Sequence, residues 1–160
     1  MHALLLGPLL VVAIIANGLL AGLFFVFSVA IGPGFRRVDD GTYVQAFRAI
    51  NAAILNGRFL AVFFFAPLSA AGCVVLLLWR GGSASLPSVV AGAICSALTF
   101  GITAAGNVPL NRELDRAPTF TEPQRRTARQ RFETPWNRRN LARTVTSIGA
   151  LAFLAIAASR

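Results

Sequence analysis

The chain has 160 residues, 56% of them hydrophobic and only 13% charged, with 15 basic residues against 6 acidic ones and a net charge of +9. A soluble domain carries about 25% charge to cover its surface, so the long uncharged stretches point to lipid as the solvent. Every basic residue other than His2 is Arg; these flank apolar runs and do not interleave with base-stacking aromatics, which argues against nucleic acid as a partner.

Most of the 13 Phe residues fall inside the apolar runs, among them Phe24, Phe25, Phe27 and Phe63 to Phe65. They read as core or lipid-facing side chains. Cys73 and Cys95 also lie within apolar runs, outside any CxxC or Cys/His cluster, so neither a disulfide framework nor a metal site is expected. With His2 the only imidazole, haem or iron held by paired histidines is excluded, and no cofactor is expected.

Along the chain, the first span covers about residues 3–31 and closes at Gly32-Pro33-Gly34, a helix stop. Its apolar run is too long for a signal-peptide core and lacks a basic leader, so a retained helix is expected. From Thr42 to Asn56, Val44, Phe47, Ile54 and Leu55 recur on one helical side, with Gln45, Arg48, Ala52 and Asn56 on the other. Only Gly57 separates this segment from the second span, 59–79, so one helix protruding into water and kinked at Pro67 is expected. Arg80-Gly81-Gly82-Ser83 makes a turn, and the third span runs over 87–106. Thr121-Glu122-Pro123 starts a short helix from Gln124 to Phe132. The fourth span, 135–158, begins with Thr134 as N-cap and Pro135 in the first helical position.

Each span has close to the roughly 20 residues that cross about 30 Å of hydrocarbon, and open sheet edges in lipid exclude strands. The expected fold is all-α: a four-transmembrane-helix bundle in a single domain, 1–160, with an amphipathic cytoplasmic extension before the second helix and a short helix between the third and fourth. Thirteen of the fifteen arginines lie in or beside the first and third connections, Arg36 to Arg58 and Arg112 to Arg143; only Arg80 and Arg160 fall on the opposite side. The positive-inside rule puts loops 32–58 and 107–134 in the cytoplasm and both termini outside the plasma membrane, with anionic headgroups as partners of the arginines. Gly18-Leu19-Leu20-Ala21-Gly22, and Gly101 with Ala105, are small-xxx-small patterns read as intramolecular packing before dimerisation. The oligomeric state stays open.

Polar groups at membrane depth carry the most information. Asn17 and Ser28 share a side of the first helix with Ala21 and Phe24, and Asn51 sits on the apolar side of its segment. Asn107 and Asn111 are four apart after the third span. Trp136, Asn140, Arg143 and Ser147 form one stripe entering the bilayer, with Arg139 beside it. The plain readings are a helix–helix hydrogen bond for Asn17, an aromatic belt and snorkelling for Trp136 and the arginines, and ion pairs with nearby Arg for Glu113 and Asp115. Convergence of amides, Arg and Trp at one depth, from three segments, argues for more.

The order of these elements carries a family resemblance. A first span ending in Gly-Pro-Gly is followed by Ala49-Ile50-Asn51-Ala52-Ala53-Ile54-Leu55-Asn56, by Gly106-Asn107-Val108-Pro109-Leu110-Asn111 leading to Leu114, and by Trp136-Asn137-Arg138-Arg139-Asn140 with Arg143. Over nearly its whole length the chain resembles the anthrone oxygenase-like family of small four-helix membrane proteins. The resemblance implies oxidation of an anthrone-like aromatic by dioxygen without metal or flavin, because loss of a benzylic proton leaves an anion that can itself reduce dioxygen. It further implies Arg143 or Arg139 paired with the enolate, Asn107 and Asn111 bonded to carbonyls, and Trp136 stacked on the rings. Asn51, Arg58, Asn137, Arg139 and Asn140 would complete the substrate contacts, with Glu113 the nearest carboxylate for a base.

The alternative is a non-catalytic membrane protein that binds a lipid, a quinone or another small molecule, or serves as a partner subunit. A proton-coupled exporter needs a carboxylate within the membrane. No span contains Asp or Glu, which speaks against that class and leaves the first two open.

Overall fold

Where no water reaches the backbone, each amide must find its partner within its own segment, and helices do this. A computed structural model of the chain describes the backbone from His2 and the side chains from Leu5 onward; the His2 imidazole lies outside the described side chains. Helix α1 (His2–Val26) passes through a π-helical turn (Phe27–Ile31) into the short α2 (Gly32–Phe35). Then come α3 (Asp40–Ile54), α4 (Gly57–Trp79) and α5 (Leu86–Ile102). A second π-helical turn (Thr103–Asn107) leads into α6 (Val108–Arg116), and α7 (Glu122–Ala158) follows. Among the described residues there are no strands. Four helical stretches are long and apolar enough to cross a membrane: Leu5–Phe35, Gly57–Trp79, Leu86–Arg116 and Glu122–Ala158. Leu19, Phe25, Phe64, Phe65, Leu68 and Val145 face outward along them, as lipid-facing side chains do. The protein is an all-helical membrane protein with four membrane-spanning helices.

Several expected boundaries move, each for a physical reason. Gly32-Pro33-Gly34 does not stop the first helix. Instead the Gly32 amide donates to the Phe27 carbonyl, five residues back, just ahead of Pro33. The same slip recurs where the Val108 amide donates to Thr103 ahead of Pro109. A proline lacks an amide and its ring collides with the carbonyl four residues back; widening the preceding turn by one residue lets the helix continue past it. The third span therefore runs on beyond Gly106 to Arg116. Pro135 does not open the fourth helix either. It lies inside α7, which starts thirteen residues earlier, where Gln124 Oε1 accepts from the amides of Phe120 and Thr121 (2.9 and 3.1 Å). The helix expected over Gln124–Phe132 is the first part of α7. Packing of Ala128, Phe132 and Trp136 against Tyr43, Val44 and Phe47 offsets the cost of an internal proline, about 3 kcal/mol.

Nor do α3 and the second span form one helix. Asn56 Oδ1 accepts from the amides of Arg58 and Phe59, both at 3.0 Å, and so caps a new helix. At the other end of α3, Asp39 accepts from the Thr42 hydroxyl and amide, which holds its carboxyl below the usual carboxylate value. Val44 and Phe47 are buried as expected, Ile54 is half-buried and Leu55 is exposed. Arg48, expected on the polar side, turns inward instead: it donates to the carbonyls of Leu114 and Ala117, both at 2.7 Å, and so satisfies the end of α6.

Helix α7 packs chiefly on α5 and α1, and α1 on α4. A continuous helix of 31 residues is about 46 Å long, against about 30 Å of hydrocarbon, so one end of the bundle must project. The projecting parts, α2, α3, α6 and the start of α7, bring most of the arginines together. At the opposite end Arg160 donates to Ala84 O (3.3 Å). The buried core forms three successive groups, around Cys73 and Leu154, around Leu20 and Phe63, and around Phe47 and Trp136.

The expected small-residue packing holds in part. A Cβ on Gly18 would stand 3.5 Å from Leu151, but one on Gly22 or Gly101 would meet nothing within 4 Å among the described residues, and Ala105 faces outward. Close approach occurs elsewhere: a Cβ on Gly92 would stand 2.8 Å from Leu154 Cγ and 3.4 Å from Ala150 O. Gly92→Val is expected to destabilise the bundle by about 1–3 kcal/mol through overpacking, while Gly101→Ala leaves stability unchanged or slightly higher. Reversible unfolding in mixed detergent micelles measures both.

Candidate functional site

The inward stripe of α7 is formed as its spacing predicts. Trp136, Asn140, Arg143 and Ser147 are 4%, 2%, 6% and 0% exposed. Asn140 is the junction. Its Nδ2 donates to Ser28 Oγ (2.8 Å) and to the Phe24 carbonyl (3.1 Å), while its Oδ1 accepts from Nε and Nη2 of Arg143 (3.1 and 2.9 Å). Ser28, in the first π-helical turn, also meets Thr144 Oγ1 at 3.2 Å. The Arg143 guanidinium carbon stands 4.1 Å from the Phe24 ring centroid and 4.9 Å from that of Trp136. Among the described residues no carboxylate pairs with Arg143, and its Nη1 makes no hydrogen bond. A buried charge is ordinarily paired; here two aromatic faces, each worth about 0.5–2 kcal/mol, and one amide oxygen do the work of a counter-ion.

A second chain of bonds leaves from Trp136. Its Nε1 donates to Asn111 Oδ1 (2.9 Å), Asn111 Nδ2 to Asn51 Oδ1 (2.7 Å), and Asn51 Nδ2 to Asp115 Oδ2 (3.1 Å). It links α7, α6 and α3 and ends at an exposed carboxylate. Asn107 closes the second π-helical turn. Its Nδ2 donates to the Trp136 carbonyl at 3.4 Å, and its Oδ1, in a side chain 1% exposed, has no partner among the described residues. Arg139 Nη1 donates to the Gly106 carbonyl (2.9 Å), and a Cβ on Gly106 would stand 3.0 Å from Arg139 Cδ, so a larger residue there would push the Arg139 side chain aside.

The structure thus brings together Asn51, Asn107, Asn111, Trp136, Asn140 and Arg143, with Arg139 bracing the turn beside them. Two expected residues stand apart. Arg58 is exposed at the start of α4, and Asn137, half-buried, lies beside Gly32 without a hydrogen bond to the cluster among the described residues. Glu113 and Asp115 make no ion pairs among the described residues: Asp115 is taken by Asn51, and Arg48 is engaged by backbone carbonyls. Asn17 bonds mainly within its helix, to Ala13 O at 2.8 Å, with a longer contact to Ala66 O of α4 at 3.4 Å. The stacking role of Phe24 was hidden in the sequence, because it depends on which helix faces α7. Ser28 was traceable, lying on the same face as Asn17.

Ion pairing occurs instead around Arg129, which meets Glu133 at 2.7 Å and Asp40 at 3.1 Å and donates to the carbonyls of Phe35 and Val38. The Tyr43 ring lies 4.5 Å below that guanidinium. Burial, reinforced by Glu133, pushes the Tyr43 phenol above its ordinary value, with Arg129 opposing. Among the described residues no three His, Cys, Asp or Glu side chains gather as metal ligands would.

Two clefts flank the cluster. One, of about 720 Å³, lies between α6 and the first turns of α7, with Glu113 and Phe132 in its wall. The other, of about 610 Å³, runs along α5 and α7 past Gly101, Ala105 and Arg139. The fold and this cluster define a four-span membrane protein with a buried, arginine-bearing polar centre near one end. The family model described as anthrone oxygenase matches residues 52–153, a stretch that contains Asn107, Asn111, Trp136, Asn140 and Arg143. The chain belongs to the anthrone oxygenase family. No curated protein and no solved structure matches it.

Trp136→Phe keeps the ring but removes the donor, leaving Asn111 Oδ1 unsatisfied. A loss of about 1–3 kcal/mol is expected, against less than about 0.5 kcal/mol for Arg58→Ala. Thermal unfolding in detergent separates the two.

Proposed function

We propose that the protein oxidises a hydrophobic, anthrone-like aromatic with dioxygen, and that the cluster around Arg143 promotes the step. In this reaction the substrate loses a benzylic proton to a base. The resulting enolate transfers electrons to dioxygen, a carbon–oxygen bond forms at the benzylic carbon, and loss of water leaves a ketone. One dioxygen converts the methylene to a carbonyl and one water. The family membership supports the reaction class. The observation that carries the site is the Arg143 guanidinium, buried and, among the described residues, with no carboxylate beside it and no hydrogen bond from Nη1. Such a group is poised for an oxyanion that develops during reaction, since a fixed cation at a low-dielectric position needs little reorganisation. The Asn107 Oδ1, unpartnered among the described residues, would accept from a hydroxyl, and Asn111 would hold the Trp136 indole in place beside Arg143.

The alternative, a protein that binds a lipid, quinone or aromatic without turnover, is favoured by one observation: both clefts lie beside the cluster, and neither is lined by Arg143, Trp136 or Asn107. Oxygen uptake with an anthrone by the purified protein in nanodiscs decides between them. Arg143→Gln is expected to lower kcat/KM by about 10²–10³-fold, with Gly101→Ala unchanged. Binding with no uptake above empty nanodiscs supports the second reading.

We also propose that the arginine-rich end faces the cytoplasm at the plasma membrane, where anionic headgroups meet its guanidinium groups. A fluorescent reporter fused after Arg160 should then stay dark if it folds only in the cytoplasm, and fluorescence there would reverse the assignment.

A further inference from the structure

The cleft between α6 and α7 is built unlike a lipid-facing groove. Its walls come entirely from residues between Pro109 and Phe132, in α6 and the first turns of α7 at the projecting, arginine-rich end of the bundle. The exposed Pro109, Pro118 and Pro123 and the half-buried Leu110 form its apolar wall, over the buried Leu114 and Phe132. Around them stand Arg112, Arg116 and Arg131 against a single carboxylate, Glu113. All four charged side chains are exposed, and none takes part in an ion pair among the described residues. About 720 Å³ of room falls in the range of small-molecule sites, which are typically apolar with a few charged groups at fixed positions.

We propose that this cleft binds a small amphipathic organic anion: an apolar, ring-sized body against Pro109, Leu110, Pro118 and Pro123, and a carboxylate, sulfonate or phenolate among the three guanidinium groups. The excess of two positive charges sets the sign of the ligand. The apolar wall sets its body, since an inorganic anion would leave Leu110 and the three prolines uncovered. The cleft's position sets its source. A phospholipid would have to draw its acyl chains out of the bilayer to fill it, whereas a free solute reaches it from water. Phe132 belongs to the same packed group as Trp136, with ring centroids 6.0 Å apart, so a ligand here rests against the outer wall of the Arg143 cluster. The site stands whether or not the protein is an oxygenase.

The test uses the full chain in phosphatidylcholine nanodiscs, with equilibrium dialysis of anthraquinone-2-sulfonate and, for comparison, its uncharged sulfonamide. Saturable binding of the sulfonate above empty nanodiscs is expected, with the sulfonamide at least about tenfold weaker. R116Q/R131Q should weaken the sulfonate about tenfold and leave the sulfonamide unchanged, as two rim charges contribute. Thr127→Trp, which fills the cleft from an exposed position, should abolish both. These surface substitutions leave the buried core intact, and an unchanged thermal transition confirms it. Equal binding to empty nanodiscs, or equal affinity for sulfonate and sulfonamide, overturns the proposal. So does displacement of the sulfonate by phosphatidylglycerol in the nanodisc, which would make the cleft a phospholipid site.

Discussion

A guanidinium at membrane depth must be stabilised by something, and among the described residues no carboxylate does this for Arg143. Two aromatic faces and the Asn140 amide oxygen hold it. This arrangement constrains everything around it. Asn140 can present its oxygen to Arg143 only if its nitrogen is occupied, and it is, by Ser28 and the Phe24 carbonyl of α1. Trp136 can face the guanidinium only if its indole is fixed, and Asn111 fixes it. The charge thereby locks α1, α6 and α7 into one mutual rotation, since turning any of them leaves a buried polar group unpaired.

The two π-helical turns are what make this geometry available. Each precedes a proline, and each places a polar residue of the cluster, Ser28 or Asn107, on a locally widened helix. The slip makes room for the proline ring and leaves no helical carbonyl waiting for the missing amide. With it, the chain continues, and the residues beyond are rotated relative to a regular α-helix. Arg139 then satisfies the Gly106 carbonyl in the second turn. Such bulges are common at functional sites for this reason: they reposition side chains while the helix stays intact.

Charge is sorted in two ways across the projecting end. Arg129 and Arg48 serve the architecture, tying the α2–α3 connection and the end of α6 through carboxylates and carbonyls. Arg112, Arg116 and Arg131 make no such ties and border the cleft. The basic composition is thus not a uniform headgroup-facing coat, because some of its members are consumed by unsatisfied carbonyls and others are left free.

The sequence by itself determined the class of fold. Hydrocarbon imposes its demand residue by residue, so four apolar runs, the arginine asymmetry at their ends and the inward stripe from Trp136 to Ser147 were all legible from spacing. The amide groups at Asn51, Asn107, Asn111 and Asn140 were also visible as polar side chains in costly positions. What only the tertiary structure decided was how neighbours satisfied one another. Local rules made Gly32-Pro33-Gly34 a stop and Pro135 a start. Packing of α7 on α3, and a one-residue slip ahead of Pro33 and Pro109, overrode them. The rings flanking Arg143, the bond chain from Trp136 to Asp115 and the separation of Arg58 and Asn137 from the cluster each depend on which helix face meets which. No single helix carries that information, because its energy exists only between helices.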